Sequence, residues 1–262
     1  MALNFLDDIR LNAEISGPAG GAALVLIHAL GTNLTLWDDL LPLLLPGLRI
    51  LRLDLRGHGA SDVPAAPYAM GTLVRDVERL MDHFAIKDAV LLGVSLGGMI
   101  AQGLAVKRLD LVRALILSNT AAKIGSAALW EARIAEVRTT GLETYADGAM
   151  ERMFGRNWRT EPGMPAVRAM LTHTHPDGWI GCASAIAGTD FYTPTASLRL
   201  PCLGIAGAND GTTPPDLVRE TADLIPGSQF SLIRGAGHLP LVEKPAEYAA
   251  IIGTFLQGIG HI

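Results

Sequence analysis

A chain of 262 residues, of which 49% are apolar, is long enough to bury one sizeable core and cannot be globally disordered. A net charge of -5, few aromatic residues and no run of Lys or Arg exclude a nucleic-acid footprint and a membrane-surface patch, leaving a small molecule as the expected partner. Met1 to Asp8 lack the basic flank and apolar stretch of a signal peptide, no apolar run reaches a membrane-spanning length, and Cys182 and Cys202 stand outside any CxxC pair, all of which point to a cytoplasmic protein with two buried thiols.

In chain order, the first apolar run that reads as a buried strand covers 22–27 and ends in the loop His28-Ala29-Leu30-Gly31. A second, over 48–53, runs into Asp54-Leu55-Arg56-Gly57-His58-Gly59-Ala60-Ser61. Val74, Val77, Leu80, Met81 and Phe84 recur at helical spacing, with Thr72 placed to cap the start. The run 89–92 leads into Gly93-Val94-Ser95-Leu96-Gly97, and Gly98 to Gln102 read as the helix beyond it. After another strand over 114–117 the alternation stops. From about 121 to 198 the pattern is helical throughout, in 131–138, 142–153, 166–171 and 179–187. Strands return at 202–206 and 230–233, and Pro245 opens a last helix reaching about Phe255. Strands alternating with helices imply parallel pairing and a ligand site at the strands' carboxyl ends. The expected fold is therefore α/β: a mostly parallel, doubly wound sheet built from residues 1–120 and 199–262, with residues 121–198 inserted as a helical cap. Extra crossover helices packed on the sheet are the alternative reading of that segment.

Functional residues should follow strands, and three do so in a chemically meaningful order. Ser95 sits in G-x-S-x-G between a strand and a helix, a turn that lifts a nucleophile above the sheet and aims helix N–H groups at developing negative charge. A serine hydroxyl needs a base, and histidine has the suitable pKa. His238 follows the 230–233 strand in a glycine-rich loop, whereas His83, His173, His175 and His261 read as surface or packing residues. Asp210 follows the 202–206 strand and would hold the imidazole in one tautomer; Asp216 and Asp223 fall in the next helix. The oxyanion donors are expected to be the Leu96 N–H and, from the first loop, the Leu30 N–H, with His28 steadying that loop.

With these segments in place, the sequence resembles the α/β-hydrolase superfamily along nearly its whole length, and more narrowly the 3-oxoadipate enol-lactonases. The resemblance rests on His28 to Asn33, Asp54 to Ser61, Gly93 to Gly98, Gly237-His238-Leu239, and, for the lactonases in particular, Ser118 to Gly125 and the segment after it. It implies a serine triad that opens a carboxymethyl-bearing enol-lactone to 3-oxoadipate in bacterial aromatic breakdown, with no cofactor and no metal. The chain departs from the pattern at Pro240-Leu241, where such lactonases often carry Ser-Asn. Within the cap, Trp130, Trp158 and Trp179 accompany Arg133, Arg138, Arg152, Arg156 and Arg159, a composition suited to an aromatic wall with a cation for a substrate carboxylate. Arg133, Trp130 and Trp158 are the first choices for binding substrate. A general carboxylesterase or perhydrolase of the same fold remains an alternative, as does a triad-bearing ligand receptor; a serine nucleophile excludes the related dehalogenases, which use Asp there.

Overall fold

A computed structural model describes residues 3–6, 8–155 and 160–262. Among the described residues eight strands form one sheet: β1 (Leu3–Leu6), β2 (Ile9–Ser16), β3 (Ala22–Ile27), β4 (Leu48–Leu53), β5 (Ala89–Val94), β6 (Val112–Ser118), β7 (Cys202–Gly207) and β8 (Gln229–Ile233). Their order across the sheet is β1-β2-β4-β3-β5-β6-β7-β8; β1 and β2 pair antiparallel to their neighbours and every other pairing is parallel. All residues of β5 and β7 are buried, as continuous apolar runs require when helices cover both faces of a sheet. The fold is α/β.

Helices α1 (Met70–His83), α2 (Leu96–Lys107), α7 (Pro215–Asp223), α8 (Pro240–Glu243) and α9 (Pro245–Gly258) accompany the strands. Four others, α3 (Ala127–Phe154), α4 (Met164–His173), α5 (Pro176–Ala187) and α6 (Tyr192–Ala196), fill the chain between β6 and β7. Among the described residues no helix is long and apolar enough to cross a membrane. The strand order reverses around β3, whose neighbours are β4 and β5, and a ligand crevice forms at such a switch point. Leu30, just beyond β3, and Ser95, just beyond β5, both flank it.

Several sequence expectations need correction. Thr72 does not cap α1: the helix begins two residues earlier, with Ala69 as the boundary residue and its carbonyl already accepting the Thr72 N–H at 3.0 Å. The expected helices 131–138 and 142–153 are the two halves of α3, which starts earlier, at Ala127 with Ser126 as its cap, and is broken where expected by the non-helical backbone of Gly141 (φ 79°), an angle that glycine adopts without a steric penalty. Strands β1 and β2 and the short α6 were not anticipated.

The stretch after β4 braces the loops around it. Arg56 grips Asp76 of α1 through two hydrogen bonds of 2.6 and 2.7 Å, and Asp54 collects the Leu34 and Ala60 N–H groups and the Asn12 amide. His58 and His28 tie two loops together: His58 Nε2 accepts the Gly31 N–H at 3.0 Å, and His28 Nε2 accepts the Leu55 N–H at 2.9 Å. Accepting at Nε2 leaves the proton on Nδ1, so both rings are neutral and of fixed tautomer. Helix α5 meets this stretch backbone to backbone, because a Cβ on Gly178 would lie 2.0 Å from the Gly57 oxygen. Gly178→Ala should therefore lower thermal stability by about 1–3 kcal/mol through displacement of α5, an effect that a thermal melt can check; an unchanged Tm counts against the close seating.

Candidate active site

Ser95 stands between β5 and α2 with φ 56° and ψ -117°, a conformation that costs about 1–3 kcal/mol in a residue with a side chain. Close packing holds it there. A Cβ on Gly93 would lie 2.2 Å from the Gly97 oxygen, and one on Gly97 would lie 2.1 Å from the Ile27 oxygen, so only glycine lets the turn close this tightly. The Ser95 N–H donates to Ser118 O at 3.0 Å, and the Thr120 hydroxyl donates to Ser95 O at 2.6 Å. The turn is thus braced from β6 on both sides of its peptide.

Asp210 lies in the loop after β7 and His238 in the loop after β8, where the His238 Nδ1–H donates to Asp210 Oδ2 at 2.8 Å. The same oxygen accepts the Asn119 amide at 2.8 Å and the Thr213 hydroxyl at 2.7 Å, while Oδ1 accepts the Thr212 and Thr213 N–H groups at 2.7 and 3.1 Å. Burial by itself would raise the Asp210 pKa. The adjacent imidazole and the hydrogen bonds from His238, Asn119 and Thr213 outweigh it and hold the carboxyl below its ordinary range. An ionised acceptor at Nδ1 leaves the His238 Nε2 lone pair free to act as a base.

Ser95 and His238 line one narrow cavity of about 40 Å³ together with Leu30 and Thr212. Its other wall comes from the helices between β6 and β7 and includes Trp130, Arg133, Tyr145 and Arg152 of α3 and Trp179 of α5. The Leu30 N–H donates to no described residue, whereas the neighbouring Gly31 and Thr32 N–H groups are engaged by His58 and by Ala29 O. The Leu96 N–H is at the first position of α2, where no intrahelical partner exists. Both expected oxyanion donors are therefore beside the Ser95 cavity and free.

Arg133 sits over the Trp130 ring at 4.8 Å and Arg152 over the Tyr145 ring at 5.2 Å. Burial lowers the Arg133 pKa, and the positive charge of Arg152 lowers it further. Neither guanidinium is ion-paired among the described residues. Two cations that share a cavity wall and form no ion pair there favour an anionic ligand. Trp130 is anchored by its indole N–H, which donates to Ile124 O at 2.6 Å.

The structure thus brings together Ser95, Asp210, His238, Leu30, Leu96, Arg133 and Trp130. Trp158 lies outside the described residues, as do Arg156 and Arg159, and Arg138 is exposed on the solvent side of α3. Sequence reasoning missed Asn119, Thr212, Thr213, Tyr145 and Glu243. Asn119 carried a usable signal: it follows a strand at φ 46°, a left-handed position that Asn tolerates better than most residues.

Comparison with known proteins agrees with this architecture. The family described as alpha/beta hydrolase fold matches residues 22–245. The 3-oxoadipate enol-lactonase 2 of Acinetobacter baylyi is 33% identical over 245 residues, which cover 92% of this chain and 91% of that protein. Among solved structures, the enol-lactonase from Burkholderia xenovorans LB400 superposes with a TM-score of 0.93 at 31% identity, covering 98% of this chain and all of that one (100%). A hydrolase from Pseudomonas aeruginosa PA01 gives a TM-score of 0.92 at 36% identity, covering 97% and 98% of the two chains.

Proposed function

Since the chain belongs to the α/β-hydrolase family, we propose that it is a serine hydrolase that opens a small carboxylated lactone, 3-oxoadipate enol-lactone being the best-supported substrate. In this reading Ser95 Oγ attacks the ring carbonyl while His238 Nε2 takes its proton, and Asp210 orients and stabilises the imidazolium. The Leu30 and Leu96 N–H groups receive the oxyanion. Collapse of the tetrahedral intermediate breaks the ring C–O bond, and His238 returns the proton to the departing oxygen, which stays tethered to the acyl chain. Water activated by His238 then attacks the acyl-enzyme and releases the acid, with no cofactor or metal entering the cycle. Residues 121–198 act as the cap. The cavity of about 40 Å³ is small beside ligand pockets of roughly 300–1,000 Å³, so substrate entry requires the cap helices to shift.

The observation that carries the lactone assignment is the unpaired Arg133, beside Arg152, on the cavity shared by Ser95 and His238. Arg133→Ala should raise KM for a carboxylated lactone by about 10- to 100-fold, the loss of one charge-assisted hydrogen bond, and leave KM for p-nitrophenyl acetate unchanged. Equal effects on both substrates remove Arg133 from carboxylate recognition. The wild-type enzyme should show a far higher kcat/KM on the enol-lactone than on p-nitrophenyl acetate. The reverse ranking favours a general carboxylesterase or perhydrolase, a reading supported by Pro240 and Leu241, which are buried where the lactonase pattern is polar. Turnover that disappears in Ser95→Ala excludes a ligand receptor.

A further inference from the structure

Between the two loops that carry Asp210 and His238 lies a peptide held from every side. The Gly237 carbonyl accepts the Asn119 amide at 3.1 Å, and the His238 N–H donates to Met153 O, at the end of α3, at 2.7 Å. The Gly237 N–H points at the carboxylate of Glu243, 2.8 Å from Oε1 and 2.9 Å from Oε2. Residue 237 has no side chain, so backbone bonds, with the Ala236 carbonyl accepting the Asn209 N–H at 2.8 Å, and close packing against Met153 O fix where the turn begins.

Glu243 is otherwise an awkward residue for this place. It is half-buried, and its pKa is pushed up to about 7, mainly by burial and also by Glu161, against the pull of the Gly237 and Leu239 N–H groups and of His238. An apolar residue of similar volume would avoid the cost of that desolvation. The carboxylate also stands apart from substrate. It lines a separate cavity of about 740 Å³ with Phe154, Glu161, Asn209 and Lys244, which shares no described residue with the cavity of Ser95.

We propose that Glu243 is a positioning residue for the hydrolysis: it clamps the Gly237 amide and thereby fixes the His238 imidazole between Asp210 and the Ser95 cavity. It never touches the reacting atoms, and its effect falls on kcat rather than on substrate binding. The inference rests on the serine-hydrolase reading above, and the test separates the two.

The test compares Glu243→Met and Glu243→Ala, which cannot accept the Gly237 N–H, with Glu243→Gln, whose amide oxygen can. Steady-state kinetics on p-nitrophenyl acetate are measured with Ser95→Ala in parallel, and a thermal melt establishes that each variant is folded. Displacing a general base by a fraction of an ångström to an ångström costs up to about 100-fold in rate, so Met and Ala should each lower kcat by about 10- to 100-fold with KM within about twofold. Gln should recover kcat to within about threefold of wild type, because the clamp needs an acceptor and not a charge. Wild-type kcat in either folded Met or Ala variant overturns the proposal, and so does a Gln variant as slow as they are. If Ser95→Ala keeps wild-type turnover, the serine mechanism itself fails and the proposal with it; if Ser95→Ala is inactive while the Glu243 variants are normal, only the proposal fails.

Discussion

Ser95→Ala should reduce kcat by about 10⁶-fold while leaving the protein folded, and Asp210→Asn should reduce it by about 10⁴-fold. Alanine keeps the Cβ that already occupies φ 56°, and the Gly93 and Gly97 contacts that shape the turn involve no Ser95 side-chain atom, so the fold should tolerate the change. What disappears is the proposed nucleophile, while the proposed Leu30 and Leu96 donors are left in place. Asp210→Asn acts differently. Its amide can turn an N–H toward His238 Nδ1 and place the imidazole proton on Nε2, which removes the base without moving the ring far. The remaining amide oxygen still accepts the Thr212 and Thr213 N–H groups and holds the side chain in place, while the Asn119 amide loses its acceptor on the other atom, so the loss in kcat should come with a modest fall in Tm. Kinetics and fluorophosphonate labelling check both variants. Labelling of Ser95→Ala at the wild-type rate is incompatible with the proposed nucleophile.

Acid should unfold the protein through two histidines that take no part in the chemistry. Burial pushes the His28 imidazole down to about 4, and burial with the nearby His28 ring pushes His58 down to about 3, both from an ordinary value of 6.5. A depressed folded-state pKa contributes stability that is complete above pH 6.5 and is lost as the pH falls toward the folded values. The shifts correspond to a loss on the order of 3 kcal/mol or more per histidine, against a total domain stability of about 5–15 kcal/mol. The urea midpoint should therefore hold between pH 8 and 7 and drop steeply between pH 6 and 4. His58→Gln, whose amide oxygen can still accept the Gly31 N–H, should be less stable at pH 8 and show a shallower drop. A midpoint constant from pH 7 down to pH 4.5 would falsify the buried neutral assignment. The loss should also reduce activity, since His58 and His28 hold the loops that frame the Leu30 N–H.

Much of this was legible in the residues themselves. The parallel strands β3, β5, β6 and β7 appear as short apolar runs because both of their faces are covered, and the bounds expected for β3 and β4 match those observed. Strand β2 was legible as well and was missed: Ile9, Leu11, Ala13 and Ile15 alternate with polar residues, the two-residue period of an edge-side strand with one covered face. The start of α1 was misplaced because Thr72 offers a hydroxyl, while the chain path had already closed the first turn at Ala69.

The order of the proposed nucleophile, acid and base, each just beyond a strand, can be read along the chain because apolar periodicity and turn residues are local properties that survive in one dimension. How those groups are held emerges from the packed fold. Asn119 meets the Gly237 carbonyl across 118 residues, and Asp210 meets His238 across 28, so neither contact leaves a spacing signature. Arg133 and Arg152 look like ordinary surface charges in the sequence; it is the packing of α3 that brings both to the wall of the Ser95 cavity, with neither guanidinium in an ion pair among the described residues. Glu243 likewise reads as a polar residue near a helix end until the fold brings its carboxylate to the amide before His238. Pairing between loops depends on which strands lie side by side and on which buried polar groups must find partners, and both are settled only when the whole chain packs.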